Sequence, residues 1–489
     1  MANDPSTVSP AVTAMREDWE VVDALMGGTK AMRKAGQSLL PQFPNEHKDS
    51  YRDRLKSSTL LPAYSETVAN NTGRVFAEPI TLGEDVPPEI KALTENIDNQ
   101  GNNLDVWAQG LFASALARGI TYVLVDYPPT QDAEGNPTIR TKADEMTAGV
   151  RPYAVVIRSS QVLGWKSKTV NGVEVLTQFR YMESVEEEDP SNQFATACIE
   201  QIRVLEQGSW STYRKSTDST KDEWVLHAQG FTSLPEIPLF AYYTKRTGFL
   251  TATPPLMEVA HLNVKHWQSQ SDQDNILHVA RVPMLAYIGM DPPDVSGSGG
   301  ATLTVASGAA TYLPKDGDMK FVEHTGKAIE AGRQSLQDLE SQMRMAGAKL
   351  LQQEKQVTKT ATQADEEAAQ ELSPLETMAH QLEDAIDQMF QLIADWLKLK
   401  EGGHVEVNGN FDNDFIPETT LPLLLNMTNS GKLSDQTLFS EMQRRGVVSG
   451  DLTWEEEKAK IDDQGPALGT LTDPLNPPAP QPKPEPAAE

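Results

Sequence analysis

Apolar residues recur along this chain at helical or at strand spacing, and the switches between the two divide it into segments. Ser9-Pro10 followed by Val12, Met15, Trp19, Val22 and Met26 predicts a capped amphipathic helix ending at Gly27-Gly28. A second helical region centres on Tyr51 and Leu55 and runs on from Tyr64 to Phe76 after a break at Pro62. Residues 104–118 predict another helix, with Gly119 as its stop, and Ile120-Thr-Tyr-Val-Leu-Val-Asp126 follows as a buried strand. The polar stretch 130–150 reads as a surface loop. Between residues 151 and 243 the period becomes two. Stretches 154–157, 173–179, 199–205, 210–213 and 224–227, separated by turn clusters, predict an antiparallel sheet. Within it, Glu186-Glu-Glu-Asp189-Pro reads as a solvated hairpin tip.

The chain is organised around residues 253–351, where two helices bracket a short β module. Thr253-Pro254-Pro255-Leu256 supplies a Thr N-cap with Pro at the first helical position, and Arg281-Val282-Pro283 breaks the helix after about Ala280. The second helix starts near Lys327 and places Ile329, Gly332, Leu336, Leu339, Met343, Ala346 and Leu350 at alternating steps of three and four, a heptad seam. At ~1.5 Å per residue each helix is roughly 35–40 Å long. Between them lie strand candidates at 284–288, 302–305, 310–313 and 319–322 and a Gly-rich run at 295–300. Residues 268–275 contain no apolar side chain, so this part of the first helix is expected to face water or other polar helices. Opposite the seam of the second helix runs a thinly charged stripe of Glu330, Gln334, Gln337, Ser341 and Arg344, whose plain reading is a solvated face.

Residues 352–372 carry Lys355 and Lys359, then Asp365, Glu366 and Glu367, without apolar periodicity. Ser373-Pro374-Leu375-Glu376 is a capping box that opens a strong helix through Met378, Leu382, Ile386, Met389, Ile393 and Trp396. Residues 404–415 alternate like a strand, short helices follow at 434–445 and 453–461, and the Pro- and Ala-rich stretch 465–489 predicts disorder.

Composition changes this picture in a few places. Hydrophobic content of 38% is low for a chain of 489 residues, which implies several modules and extended or intersubunit surface. A net charge of −28 excludes a high-affinity DNA binder, which needs clustered Lys and Arg, yet suits a wall past which DNA slides without sticking. The single Cys198 excludes an intrachain disulfide, no apolar run is long enough for a membrane span, and Met1-Ala-Asn-Asp-Pro-Ser lacks a signal-peptide pattern. The expectation is a soluble protein made in a reducing cytoplasm.

Candidate chemistry is thin. Gly326-Lys327 and Gly431-Lys432 lack the rest of a phosphate loop, and Asp126 at a strand end imitates the acidic partner of such a loop. Asp126 therefore reads as structural. His261 and His266 are off one helical face, and Asp272-x-Asp274 lacks the Gly and distal Glu of a calcium loop. No catalytic constellation, metal site or cofactor motif is found, and a non-enzymatic protein is expected.

Pro254-Pro255-Leu256, Ala260, Asn263, His266, Ser271-Asp272, Ile276-Leu277-His278 and Pro283 resemble the signature stretch of tailed-bacteriophage portal (head-to-tail connector) proteins. Gly326, Leu339 and Gly347-Ala-Lys-Leu-Leu351 continue the likeness, as do Tyr51, Arg54 and Gly73-Arg-Val-Phe76 nearer the start, so that it spans roughly residues 9–464. The resemblance implies an α+β portal-like fold. Its parts would be a β-rich wing and body (1–250), a first stem helix (251–280), a β clip (281–326), a second stem helix (327–351), a tunnel loop (352–372), a long wing helix (373–403), a helical crown (404–464) and a disordered tail (465–489). It further implies a ring, a dodecamer in the family, at one capsid vertex of the virion, assembled in the host cytoplasm. Such a ring conducts double-stranded DNA during packaging, retention and ejection. Its partners would be terminase, major capsid and scaffolding proteins, and tail or adaptor proteins, with no membrane. Glu330, Gln334, Gln337, Ser341 and Arg344 would line the channel, Lys355, Lys359, Asp365, Glu366 and Glu367 would sit on the tunnel loop, and Ile329, Leu336, Leu339, Met343 and Leu350 would form the seam between subunits. Two alternatives stay open on sequence: another virion structural or adaptor protein with coiled-coil helices, and a nuclease or ATPase.

Overall fold

The computed structural model describes residues 4–128, 149–188, 194–216, 223–280, 284–288, 318–322, 327–351, 373–411, 417–444 and 452–464, with single positions at 144, 192 and 448. The protein has an α+β fold in two compact units, Met1–Phe411 and Asp412–Glu489.

In the first unit, α1 (Pro10–Met26) opens as expected, with the Ser9 hydroxyl accepting from the Val12 amide. It also ends where expected, at Met26 with Gly27 as its C-cap. Gly28 takes a left-handed φ of 67°, which turns the chain, and α2 (Gly28–Ala35) begins at once. Then come α3 (Lys48–Ser57), α4 (Ala63–Val75), α5 (Pro88–Leu93) and α6 (Leu104–Arg118), the last capped by Asn103 and closed by Gly119 at φ 88°.

The strand β2 (Ile120–Asp126) is the centre of a three-stranded sheet, between β3 (Tyr153–Ile157) and β9 (Leu239–Tyr243). Both of its faces are covered, which explains its unbroken apolar run. Val123 and Val125 face a core made with α4, α6 and the long helix at Pro374–Leu397. Ile120, Tyr122 and Leu124 face the other way, onto Val162, Phe179, Tyr181 and Leu205.

Those four residues belong to a second sheet, the meander β4 (Val162–Val170), β5 (Val173–Glu188), β6 (Thr196–Glu206), β7 (Ser209–Lys215) and β8 (Trp224–Phe231). Two sequence expectations are corrected here. Residues 154–157 pair in the first sheet rather than this one. Glu186, Glu187 and Glu188 are not a turn but the end of a 16-residue strand, opposite Cys198, Ala197 and Thr196.

Among the described residues, β1 (Thr81–Leu82) pairs with β14 (Val405–Glu406), and β10 (Arg246–Gly248) pairs with β11 (Thr251–Ala252). The strand expected over 404–415 is thus confined to two residues where it is described. The hairpin helices are α7 (Met257–Ala280) and α8 (Lys327–Ala348), with β12 (Met284–Ile288) and β13 (Asp318–Val322) pairing antiparallel between them. The helix α7 starts later than expected. Residues 251–252 are in β11, the chain turns through Pro255-Leu256, and the Leu256 carbonyl accepts the first helical bond, from Ala260. The strand candidates at 302–305 and 310–313 lie outside the described residues.

The helix α9 (Pro374–Leu397) carries the expected capping box, in which the Ser373 hydroxyl accepts from Glu376 N at 3.2 Å and Glu376 accepts from Ser373 N at 3.3 Å. Its apolar face, Leu375 through Ile393, fills the main core.

The second unit contains α10 (Pro417–Asn429), α11 (Asp435–Arg444) and α12 (Trp454–Gln464). Ser434 caps α11, and Phe439 packs on Trp454 with ring centroids 5.5 Å apart. The predicted disorder of 465–489 falls outside the described residues. No helix among the described residues is long and apolar enough to cross a membrane.

Candidate functional site

Three side-chain contacts fix α7 and α8 as an antiparallel pair. Lys349, just beyond α8, meets Glu258 at 2.6 Å, Glu340 lies 3.7 Å from His266, and Gln273 donates to the Ile329 carbonyl at 2.9 Å. Residues 258 to 273 span about 22 Å of helix axis at 1.5 Å per residue. Gly332 faces Gln273 so closely that a Cβ there would strike its amide. The seam read from sequence is filled inside the chain. Leu336, Leu339, Met343 and Leu350 are buried, and Ile329 is half-buried. Within the chain α7 runs alongside this seam, and packing of these residues between subunits stays a proposal.

The hairpin root is set into the main core. Leu256, Val259, Ala260 and Trp267 of the α7 side and Leu350 beyond α8 all belong to it. A second set of attachments is polar. Asn263, fully buried, accepts from the Tyr64 amide at 3.0 Å and donates to the Leu61 carbonyl at 2.9 Å, tying α7 to the start of α4. Ser271 accepts from Arg54 at 3.3 Å and shares a 2.9 Å hydrogen bond with Ser58, and Gln268 donates to the Leu39 carbonyl at 3.0 Å.

Arg54 is the centre of that contact. Its guanidinium makes two 2.8 Å bonds to Glu46, one of 2.9 Å to the Pro41 carbonyl, and lies 4.2 Å from the centre of the Phe43 ring. The Arg54 hydrogen bonds hold Glu46 below the usual carboxylate range, whereas burial raises Asp272, 4.0 Å from Arg54. The polar stretch 268–275 therefore does not face water throughout. Ser271 and Gln273 are buried and hydrogen-bonded, and its outer end, Asp274 and Asn275, is exposed. Asn263 and Ser271, two of the residues that carried the resemblance, thus have a structural task, anchoring α7. The role of Arg54, more than two hundred residues away in sequence, had no local signal.

His266 is buried, and neither ring nitrogen has a hydrogen-bond partner among the described residues. Burial pushes its pKa below the ordinary histidine value, and Glu340 offsets this in part.

On α8 the stripe of Glu330, Gln334, Gln337, Ser341 and Arg344 is exposed along its whole length. Glu330 pairs with Arg333 at 2.5 Å, which holds its carboxyl low and trims the net charge of the stripe's outer end. Lys355, Lys359, Asp365, Glu366 and Glu367 lie outside the described residues.

A cleft of about 640 Å³ opens between one face of the five-stranded sheet and the corner formed by β2 and α9. Asp126 lies on its wall, bound to Arg203 at 2.9 Å, with Glu183 at 3.9 Å from the same guanidinium. The acid that imitates a nucleotide-site residue is here one partner of an arginine. Among the described residues no cluster of three or more His, Cys, Asp and Glu could hold a metal ion.

Residues 255–397, from the hairpin to the end of α9, match a protein family described as a domain of unknown function (DUF4055). A search of curated proteins finds no match. Among solved structures, the chain is similar to one from the virion of a native gene transfer agent particle, at 12% identity and a TM-score of 0.37, covering 88% of this chain and 98% of that one. Two similar chains come from gene transfer agent necks, each over 77% of this chain and 88% of the other. One is from an empty particle computed with C6 symmetry (12% identity, TM-score 0.36), the other from a native particle computed with C12 symmetry (11%, 0.34).

Proposed function

We propose that the chain is a non-enzymatic portal subunit of a phage-like virion, one of a ring of copies around a channel for double-stranded DNA. The observation that carries this is the α7–α8 hairpin. It is closed along its own seam, bolted into the body through Asn263 and Ser271 of the stretch that resembles the portal signature, and presents one long, exposed and thinly charged face. Such a face contacts a moving phosphate backbone without the clustered cations that would hold it. In this reading Glu330, Gln334, Gln337, Ser341 and Arg344 face the channel, and Lys355 and Lys359 supply transient phosphate contacts. The β12–β13 end and residues up to 326 dock terminase and then tail or adaptor proteins, and the body meets capsid and scaffolding proteins.

Negative-stain electron microscopy with native mass determination on the same sample is the first test. Closed rings with a central hole and a mass near that of a dodecamer are expected, and filaments or compact dimers overturn the channel. Deleting residues 356–367 should leave rings intact and impair packaging. Unimpaired packaging removes the role given to that loop. The absence of catalysis is checked by assaying magnesium-dependent ATP and phosphodiester turnover, where none is expected.

A further inference from the structure

The acidity of this chain is not spread evenly. It has 70 Asp and Glu against 42 Lys and Arg, yet residues 28–60 hold seven Lys and Arg against three Asp and Glu. The helix α2 carries Lys30, Arg33 and Lys34 and no acid. On α3, Lys48, Arg52 and Lys56 recur at every fourth residue and so share a face. The two helices are joined by the protein's own bonds. Arg33 donates twice to the Ser58 carbonyl, at 3.0 and 2.8 Å, and the Leu60 amide donates to Thr29 at 3.1 Å. This joint brings the C-terminal end of α3, with Lys56, against α2.

The cations here fall into two kinds. Arg54 is bound to Glu46, Arg52 to Asp49 at 2.6 Å, and Arg33 to the Ser58 carbonyl. Lys30, Lys34, Lys48 and Lys56 are exposed and make no ion pair among the described residues.

We propose that Lys30, Lys34 and Lys56, at the α2–α3 joint, dock an acidic face of a second copy of this chain. Subunits of charge −28 that assemble bring like charges within a screening length of about 8–10 Å. A cationic patch on each copy that meets an acidic patch on the next turns part of that repulsion into attraction and fixes register. Because two different patches meet, the contact is heterologous, the kind that closes rings. Asp49 and Asp53 stand beside the lysines of α3, and this mixture suits a protein surface rather than a phosphate backbone. The inference rests on the ring reading and deepens it by naming one half of the subunit contact.

The test uses the full-length chain and two variants, K30E/K34E/K56E and the milder K30Q/K34Q/K56Q. Each is followed by native mass and light scattering at low and high salt, with circular dichroism as a check of fold. The wild-type assembly should loosen as salt rises. The reversed variant should need about tenfold or more protein to assemble at low salt, in line with coupled charge pairs at interfaces, with the Gln variant in between. Variants that assemble like the wild type, with the same salt dependence, overturn the patch and leave the ring intact. Loss of duplex-DNA binding with unchanged assembly overturns it in favour of a nucleic-acid surface. A wild-type chain that stays monomeric under all conditions overturns the ring itself and this contact with it.

Discussion

Arg54 joins three parts of the molecule that are far apart in sequence: the 41–46 segment, α3, and the middle of α7. Its side chain and that of Glu46 are both over nine-tenths buried. Removing one partner of such a pair leaves an uncompensated charge, so Arg54→Ala should cost roughly 3–5 kcal/mol, read as a lowered midpoint of denaturant unfolding. Arg54→Lys should recover little, since an ammonium cannot reproduce the two-pronged contact with Glu46.

His266 makes a different demand, one of pH. Its folded-state pKa lies below the ordinary value, so the unfolded chain takes up this proton first, near pH 6.5. Stability contributed by the neutral ring is therefore complete above that pH and is lost as pH falls towards the folded pKa. His266→Gln should flatten this part of the acid-side decline in thermal midpoint, and an unchanged profile would show that other groups govern it.

The hairpin is the element on which the proposed function rests, and its seam can be tested directly. Leu339→Ala should destabilise by roughly 2–5 kcal/mol if the site does not collapse, with faster amide hydrogen exchange along α8. Much of this element was legible beforehand, because the heptad steps from Ile329 to Leu350 are a pattern within one helix and need no partner to be read. The capped starts of α1 and α9 were legible for the same reason. What covers a face was not. The polar run 268–275 looks solvated until Arg54, Ser58 and Leu39 arrive from the other end of the chain. The start of α7 was misplaced because Thr253, a good cap by type, donates its amide to the Lys245 carbonyl and leaves the first helical bond to Leu256. The strand β4 escaped notice because its outer stretch Lys166-Ser-Lys-Thr169 is polar on both faces.

At the scale of the whole molecule, the first unit packs helices on one face of the β3-β2-β9 sheet and the five-stranded sheet on the other, and the root of the α7–α8 hairpin is set into the helical core. The contacts along that hairpin change character with distance from the core. Leu336, Leu339, Met343 and Leu350 are buried, whereas at residues 271–273 the contacts are hydrogen bonds, Ser271 to Arg54 and Ser58 and Gln273 to the Ile329 carbonyl. In mechanical terms this is a lever clamped to the body from Leu256 to Ser271, by packed side chains at the base of the clamp and by hydrogen bonds at its outer end. A sideways load at the tip is borne first by hydrogen bonds, which re-form after breaking, and the dry packing at the base keeps the lever's angle to the body. Parting of the two helices would then begin at the tip and stop where the leucines begin.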